Sequence, residues 1–377
     1  MIVIAIIVSV LYVVLIGSFC LGFNRVKHFV SNTPKPKTRF SIVIPFRNEA
    51  NQLPELLESI FRLNYPKGLF EVILIDDESD DDSRKVLDNL LKSNTDGATN
   101  IQVINTIRTT NSPKKDAISL AISKANADWI ITSDADCILP KYWLDSFDAY
   151  IQKHAPSLIV APVTYHNING FLQNFQLLDV LSLQGATIGG FGIKKPFLCN
   201  GANLAYTKHL FNSVNGFEGN SEVASGDDVF LLEKAYQNNP NQVHYLKSKQ
   251  AIVTTKALST ISDLIDQRVR WAAKTSAYKN RFGKFAGSIV FAQNALLIVC
   301  LCLTLIGALN PKVLLFGFLI KVSVDGILIS KSAVFFNQTK HLKHYALAAF
   351  IYPFFSVYVV IIAVFKGYQW KDRRYQK

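Results

Sequence analysis

Met1 to Phe23 contains no charged side chain. About 20 apolar residues cross a bilayer's hydrocarbon core, where each backbone N–H and C=O must be satisfied within the segment, so there this stretch can only be a helix. A cleaved leader fits poorly, because no basic residue precedes the apolar run and Ser18-Phe19-Cys20 lacks a small-residue cleavage pattern. Three more apolar stretches, Ile289 to Leu309, Val313 to Ile329 and Tyr345 to Phe365, lie in the last third. The hydrophobic content of 49% is therefore concentrated at the two ends.

Basic residues follow the first segment at Arg25, Lys27, Lys35, Lys37 and Arg39, which predicts a cytoplasmic middle region. If the three later stretches all crossed, the tail carrying Lys366, Lys371, Arg373, Arg374 and Lys377 would end on the opposite side, against the same tendency. One stretch is expected not to span. Arg281 to Val299, with Arg281, Lys284, Gln293 and Asn294, is the sequence's candidate for an interfacial or re-entrant helix. Lys321 and Asp325 share a helical face and can pair within the membrane. The net charge of +12 clusters beside apolar segments, which suits anionic lipid head groups and argues against a nucleic-acid partner. Cys20, Cys137, Cys199, Cys300 and Cys302 have no disulfide or zinc spacing and read as reduced thiols.

Between these ends, strand and helix signals alternate. Phe40 to Pro45, Val72 to Ile75, Ile101 to Ile104 and Trp129 to Thr132 are short apolar runs. Helical periodicity separates them over Leu53 to Leu63, Ser83 to Leu91 and Ala117 to Ala125. The order predicts an α/β domain with a mostly parallel sheet, whose ligand site lies beyond the carboxyl ends of the strands.

Acidic clusters fall at those ends. Asp76 and Asp77 end one strand, where a carboxylate can accept hydrogen bonds from a base or ribose; Asp80 to Ser83 suffice as a helix cap. Asp134-Ala135-Asp136 follows another strand, and two such carboxylates can hold Mg²⁺ or Mn²⁺ while leaving positions for water and a diphosphate. Ser225-Gly226-Asp227-Asp228 opens a helix; capping competes there with a general base at Asp228. Gln267-Arg268-Val269-Arg270-Trp271 offers a guanidinium for phosphate and an indole for a sugar face.

In this order and spacing the motifs resemble glycosyltransferase family 2, the inverting GT-A-fold enzymes. The likeness is to its membrane-bound branch, which includes cellulose synthase, hyaluronan synthase and ceramide glucosyltransferase. It covers about residues 38 to 280. The stretch from Ser41 to Glu49 resembles the family's first strand and nucleotide loop, with Pro45, Arg47 and Glu49 as donor contacts. Asp77 matches the aspartate near the base, Lys114 the lysine before the metal motif, and Asp134 and Asp136 the metal motif itself. Asp134 is also a nucleotide-sugar contact on this likeness. Asp228 matches the catalytic base, while Asp227, Gln267, Arg270 and Trp271 match acceptor and diphosphate contacts, Arg270 also assisting catalysis. Cys199 to Asn203 resembles the acceptor-side strand, Gln184 to Gly192 its continuation, and Trp370-Lys371-Asp372-Arg373 a lipid-glycosylating ending. Glu78 and Asp227 depart from the commoner Gly or Asn and Glu.

The resemblance implies a GT-A nucleotide-diphospho-sugar transferase fold with membrane helices at both ends. The expected divisions are a transmembrane helix over 1–23, a basic linker over 24–37, a cytoplasmic catalytic domain over 38–280, a membrane region over 281–366 and a basic tail over 367–377. The expected activity is transfer of a sugar from a UDP- or GDP-sugar, with Mg²⁺ or Mn²⁺, to a lipid or lipid-linked acceptor at the inner (plasma) membrane. A processive polysaccharide synthase subunit is the alternative, disfavoured because so few apolar stretches hardly make a channel. A non-catalytic scaffold is disfavoured because every matched carboxylate is present.

Overall fold

The computed structural model describes residues 2–31, 35–93, 99–220, 226–274, 278–365, 368–370 and 373–375. The elements run α1 (Ile2–Arg25), β1 (Phe40–Phe46), α2 (Leu53–Phe61), β2 (Phe70–Asp76), α3 (Ser83–Ser93), β3 (Asn100–Asn105), α4 (Pro113–Lys124) and β4 (Trp129–Thr132). Then come β5 (Cys137–Ile138), α5 (Trp143–His154), β6 (Leu158–Val160), β7 (Val163–His166), α6 (Gly170–Gly192), β8 (Leu204–Thr207), α7 (Lys208–Ser213) and α8 (Asp227–Asn238). The chain ends with β9 (Val243–Tyr245), β10 (Val253–Lys256), α9 (Ile261–Ala273), α10 (Arg281–Leu305), α11 (Pro311–Phe335), α12 (Tyr345–Phe365), β11 (Tyr368–Trp370) and β12 (Arg373–Tyr375). They form two units: Lys27–His166 with Cys199–Lys256, and the remainder.

The first unit is built on a seven-stranded sheet of order β3-β2-β1-β4-β8-β6-β9. Its pairs are parallel except those that β8 makes with β4 and β6, so the sheet is mixed and mostly parallel, as the strand–helix alternation predicts. Alternation along β1 puts Phe40, Ile42, Ile44 and Phe46 into one core with Leu53, Leu56, Leu57 and Ile60 of α2. Each such side chain contributes about 1.5–3 kcal/mol through burial. α4 packs against β1 and β2, burying Ala117, Ile118, Ala121 and Ile122. Pro54 in the first turn of α2 and Pro113 at the start of α4 occupy positions where a missing N–H costs nothing. A second sheet, β5-β10-β7, joins Cys137 and Ile138, just past Asp136, to β10.

The second unit gathers helices. α1, α10 and α11 are long and apolar enough to cross a membrane, as is the segment Thr339–Phe365 that includes α12. Gly22 of α1 meets α6 so closely that a Cβ there would lie 2.1 Å from the Gly189 carbonyl oxygen; small residues allow this backbone approach. Gln184 to Gly192 therefore has a packing role within α6: Gly185 faces Ser332 and Leu328, and Gly189 faces Phe19. Lys321 and Asp325 pair at 2.6 Å, as their spacing predicts, and Tyr12 Oη donates to Asp325 at 2.6 Å.

Candidate active site

Parallel strands β2, β1 and β4 end at one edge of the sheet. Antiparallel β8 begins there, with Leu204 opposite Thr132. Of the sequence-predicted residues, Pro45 lies near the end of β1, and Arg47, Glu49, Asp77, Asp134 and Asp136 follow these strand ends. Pro45 sits past the last residue of β1 paired with β4, so its missing N–H breaks no ladder bond to that strand.

Beyond β1 and β2, the Asp77 N–H donates to the Phe46 carbonyl at 2.8 Å. Arg47 Nη1 donates to the carbonyls of Asp77, at 2.9 Å, and Glu78. Glu49 ties the loop to α3 through its N–H, which donates to Ser83 Oγ at 2.8 Å. Asp81 accepts from the N–H groups of Ser83 and Ala50; although burial opposes it, these bonds hold its carboxyl below the usual range. Arg108, which sequence reasoning missed, lies 3.7 Å from Asp77 Oδ1 and also pairs with Glu78. Asn48 and Glu78 both have left-handed backbone, φ +53° and +57°. That conformation explains why the position of Glu78 favours Gly or Asn.

The second group is centred on Lys114, in the first turn of α4. Its Nζ donates to Asp134 Oδ1 at 2.7 Å and lies 3.6 Å from Asp227 Oδ2. Burial disfavours the ammonium, but Asp134 and Asp227 outweigh it and raise the lysine pKa above its ordinary value. Asp136 is turned toward β10, where Thr255 Oγ1 donates to its Oδ2 at 3.1 Å. Burial, then the nearby Asp134 charge, push the Asp136 carboxyl above the usual range.

Asp228 lies in the first turn of α8, where helix geometry favours negative charge. Its Oδ2 accepts from the Gly201 N–H at 3.1 Å and its Oδ1 from the Val229 N–H at 2.8 Å. Thr132 Oγ1 in turn donates to the Gly201 carbonyl at 2.7 Å, tying the end of β4 to the turn that holds Asp228. Asn203 fixes this turn: its Oδ1 accepts from Trp143 Nε1 at 2.9 Å, and its Nδ2 donates to the carbonyls of Pro162 and Ala251, both at 2.8 Å. Lys114, Asp134, Asp136, Asp227 and Asp228 are thus drawn together with Gly201. Ser225 lies outside the described residues, as do Lys371 and Asp372 of the tail motif.

Gln267, Arg270 and Trp271 lie on α9, in the helical unit. There Arg268, passed over in the sequence, pairs with buried Asp179 at 2.7 Å, stacks 4.2 Å from the Trp271 ring and donates to Gln267 Oε1. Its position inside the Gln-x-x-Arg-Trp signature was the one available signal.

The acidic pair fits a hard divalent cation by its oxygen donors: a cation beside Asp136, whose carboxyl is held above the usual range, would favour its charged form. Among the described residues no group of three or more His, Cys, Asp or Glu side chains is gathered for a metal, so water or a diphosphate would complete the shell.

A mixed, mostly parallel sheet with paired acidic strand ends beneath a basic lysine defines a GT-A nucleotide-sugar domain. Residues 41–209 match the family model for glycosyl transferase family 2, and the chain carries a domain of that family. A mannosyltransferase from Pyrobaculum calidifontis, solved with GDP-mannose and Mn²⁺, superposes with a TM-score of 0.59 at 14% identity, covering 97% of this chain and 99% of that one; the likeness is one of fold. The poly(ribitol-phosphate) β-N-acetylglucosaminyltransferase TarS of Staphylococcus aureus is 24% identical over 221 residues, 58% of this chain and 36% of that protein. An undecaprenyl-phosphate 4-deoxy-4-formamido-L-arabinose transferase of Proteus mirabilis is 37% identical over 102 residues, 26% of this chain and 29% of that protein. The matches thus span about a third of the length of these relatives.

Proposed function

We propose that this protein is a membrane-bound inverting glycosyltransferase that moves a sugar from a UDP- or GDP-sugar to a lipid or lipid-linked acceptor. The observation that carries the reading is the Lys114 bridge between Asp134 and Asp227, beside an Asp228 held by the Gly201 N–H. Helices apolar enough to cross a membrane, in the same chain, favour the lipid acceptor. The Proteus relative is named for a lipid phosphate, undecaprenyl phosphate, which supports that class. The polymer acceptor named for TarS keeps a glycan-extending enzyme as the second reading.

In this reading Asp77 accepts from the base, with Arg47 and Arg108 shaping its loop. Asp136 and Asp134 would hold Mg²⁺ or Mn²⁺, which when bound supplies charge to stabilise the leaving diphosphate. Lys114 bridges Asp134 and Asp227 and balances their charge. Asp228 accepts the proton of the acceptor hydroxyl as that oxygen attacks the anomeric carbon, giving inversion. Gln267, Arg270 and Trp271 serve the diphosphate and acceptor on the family resemblance alone.

The test is diphosphate release from UDP- and GDP-sugars by protein in detergent with Mn²⁺ or Mg²⁺, with and without a polyprenyl phosphate or glycolipid. Lipid-dependent release, lowered about 100-fold or more in Asp228→Asn with donor binding kept, is expected. Normal turnover in that variant, or no release from any donor, would overturn the assignment.

A further inference from the structure

Among the described residues four segments are apolar enough to cross a membrane, yet contacts within the helical unit separate one of them from the rest. α10 and α11 are joined by the short turn 306–310, so the start of α10 and the end of α11 lie at one end of a hairpin. α1 brings its basic terminus to that same end. Phe19 packs edge-on against Phe282, in the first turn of α10, with ring centres 6.2 Å apart. Lys331, near the end of α11, donates to Asn24 Oδ1 at 3.0 Å. α9 belongs to this basic end as well, because the chain passes from it by a short link into the first turn of α10.

α12 follows α11 after the 3₁₀ turn Thr339–His344 and begins beside the middle of that helix. Tyr345 Oη donates to the Val322 carbonyl at 2.6 Å, and Gly326 packs on the same ring. A crossing helix starting here would deliver its last turns to the far turn at 306–310. α12 instead delivers Val359 and Ala363 to Val269 of α9, in a cluster joined by Ile265, Ala272 and Ile362. The next element, β11, also lies along α9. α12 thus starts beside the middle of α11, and its far end returns to the basic end.

We propose that α12 does not cross the membrane but lies in, or dips into, the leaflet at the basic end, so that the chain crosses three times, through α1, α10 and α11. This assigns the non-spanning role to α12 and a full crossing to the stretch from Arg281. One face of α12, with Ala348, Ala349, Pro353 and Ala363, is buried against protein. The other presents Leu347, Phe350, Phe354, Tyr358, Ile361 and Phe365 at helical spacing, all exposed. Its occupant is the acyl region of that leaflet: in this row Phe350 packs edge-on against Phe318 of the apolar α11, with ring centres 6.3 Å apart, and exposed Lys340 and Lys343 immediately before α12 suit anionic head groups. The basic tail then lies on the side from which α1 hands the chain to the GT-A domain. That removes the conflict with the positive-inside tendency. The inference is independent of the transfer chemistry.

The test is the sidedness of a cysteine added after Lys377, in a Cys302→Ser background that removes the exposed native thiol. Full-length protein in sealed, oriented membrane vesicles is treated with a membrane-impermeant maleimide. Lys92→Cys on α3 reports the side of the GT-A domain, and Ala308→Cys in the α10–α11 turn reports the far side. The tail cysteine is expected to react from the side of Lys92→Cys, at least tenfold faster than from the other. Reaction from the side of Ala308→Cys would overturn the proposal, and so would labelling of the two reference positions from one side.

Discussion

Lys114→Met isolates the electrostatics of the candidate site. The substitution keeps the length of the side chain and removes the charge between Asp134, at 2.7 Å, and Asp227, at 3.6 Å. Removing one partner of a buried ion pair costs about 3–5 kcal/mol. Asp134 is 38% exposed and solvent screens part of that loss, while Asp227 is 10% exposed and is not relieved. A loss of about 2–3 kcal/mol is expected, which for a domain of this size lowers the unfolding midpoint by about 4–12 °C. Mn²⁺ binding at Asp134 and Asp136 should then stabilise the variant more than the parent, because at Asp134 the ion replaces charge that the lysine no longer supplies. The assay is thermal unfolding of both proteins in detergent, with and without Mn²⁺, and Lys114→Arg as the charge-retaining control. A midpoint for Lys114→Met within about 1 °C of the parent, or an equal Mn²⁺ shift in both, would refute the reasoning.

Other expectations follow from single contacts. In Gly201→Ala the new Cβ would lie 3.2 Å from Asp227 Oδ2 and 3.6 Å from the Asp228 Cβ; steady-state kinetics should show turnover falling about 10-fold or more, with the donor KM little changed. Glu78→Gly relieves a left-handed glutamate and should stabilise the protein by about 1 kcal/mol in denaturant unfolding, the lost ion pair to Arg108 being exposed and weak. Asp116 accepts four hydrogen bonds from the N–H and hydroxyl groups of Thr109 and Thr110, at 2.8–3.1 Å; they outweigh its burial and lower its pKa. Its stabilisation is therefore complete above the unfolded-state pKa of about 3.9 and is lost as pH falls through the lower folded value. Asp116→Asn should cost about 1–3 kcal/mol at pH 7, and denaturant titrations should find that gap closing below about pH 4.

Much of the GT-A domain was legible because its signals are local. β1, β2 and β4 are buried on both faces and read as unbroken apolar runs, and the acidic clusters at Asp76-Asp77 and Asp134-Asp136 come at the ends of β2 and β4. The second sheet was not legible: β5 is two residues long, and its partner β10 is distant in sequence, so no period announces either. The same distinction divides the site. Asp134, Asp136 and Asp228 stand out by type and position, whereas Thr255, Arg108 and Asn203 matter only through partners supplied by the folded chain. Gly201 could be read as part of an acceptor-side strand. Its N–H on Asp228 could not, because that bond depends on Asn203 being held at once by Trp143, Pro162 and Ala251.

α12 marks a different kind of limit. Hydropathy measures whether a segment prefers lipid to water, and Tyr345–Phe365, without a charged residue, satisfies it as well as α1 does. Direction through the bilayer is a relation between the two ends of a helix, and composition does not hold it. The sequence did hold a symptom, the basic tail on the wrong side of an even number of crossings, but could not say which stretch was responsible. Arg281, Lys284, Gln293 and Asn294 drew suspicion to the start of α10 because they are polar. Gln293 and Asn294 are in fact fully buried, and Gln293 Oε1 accepts from Ser9 of α1 at 3.2 Å, so polarity there serves contact between helices. In a membrane, polar residues within an apolar stretch thus signal a neighbouring helix as readily as an interface, and only the contacts at a helix's far end distinguish a crossing from a return.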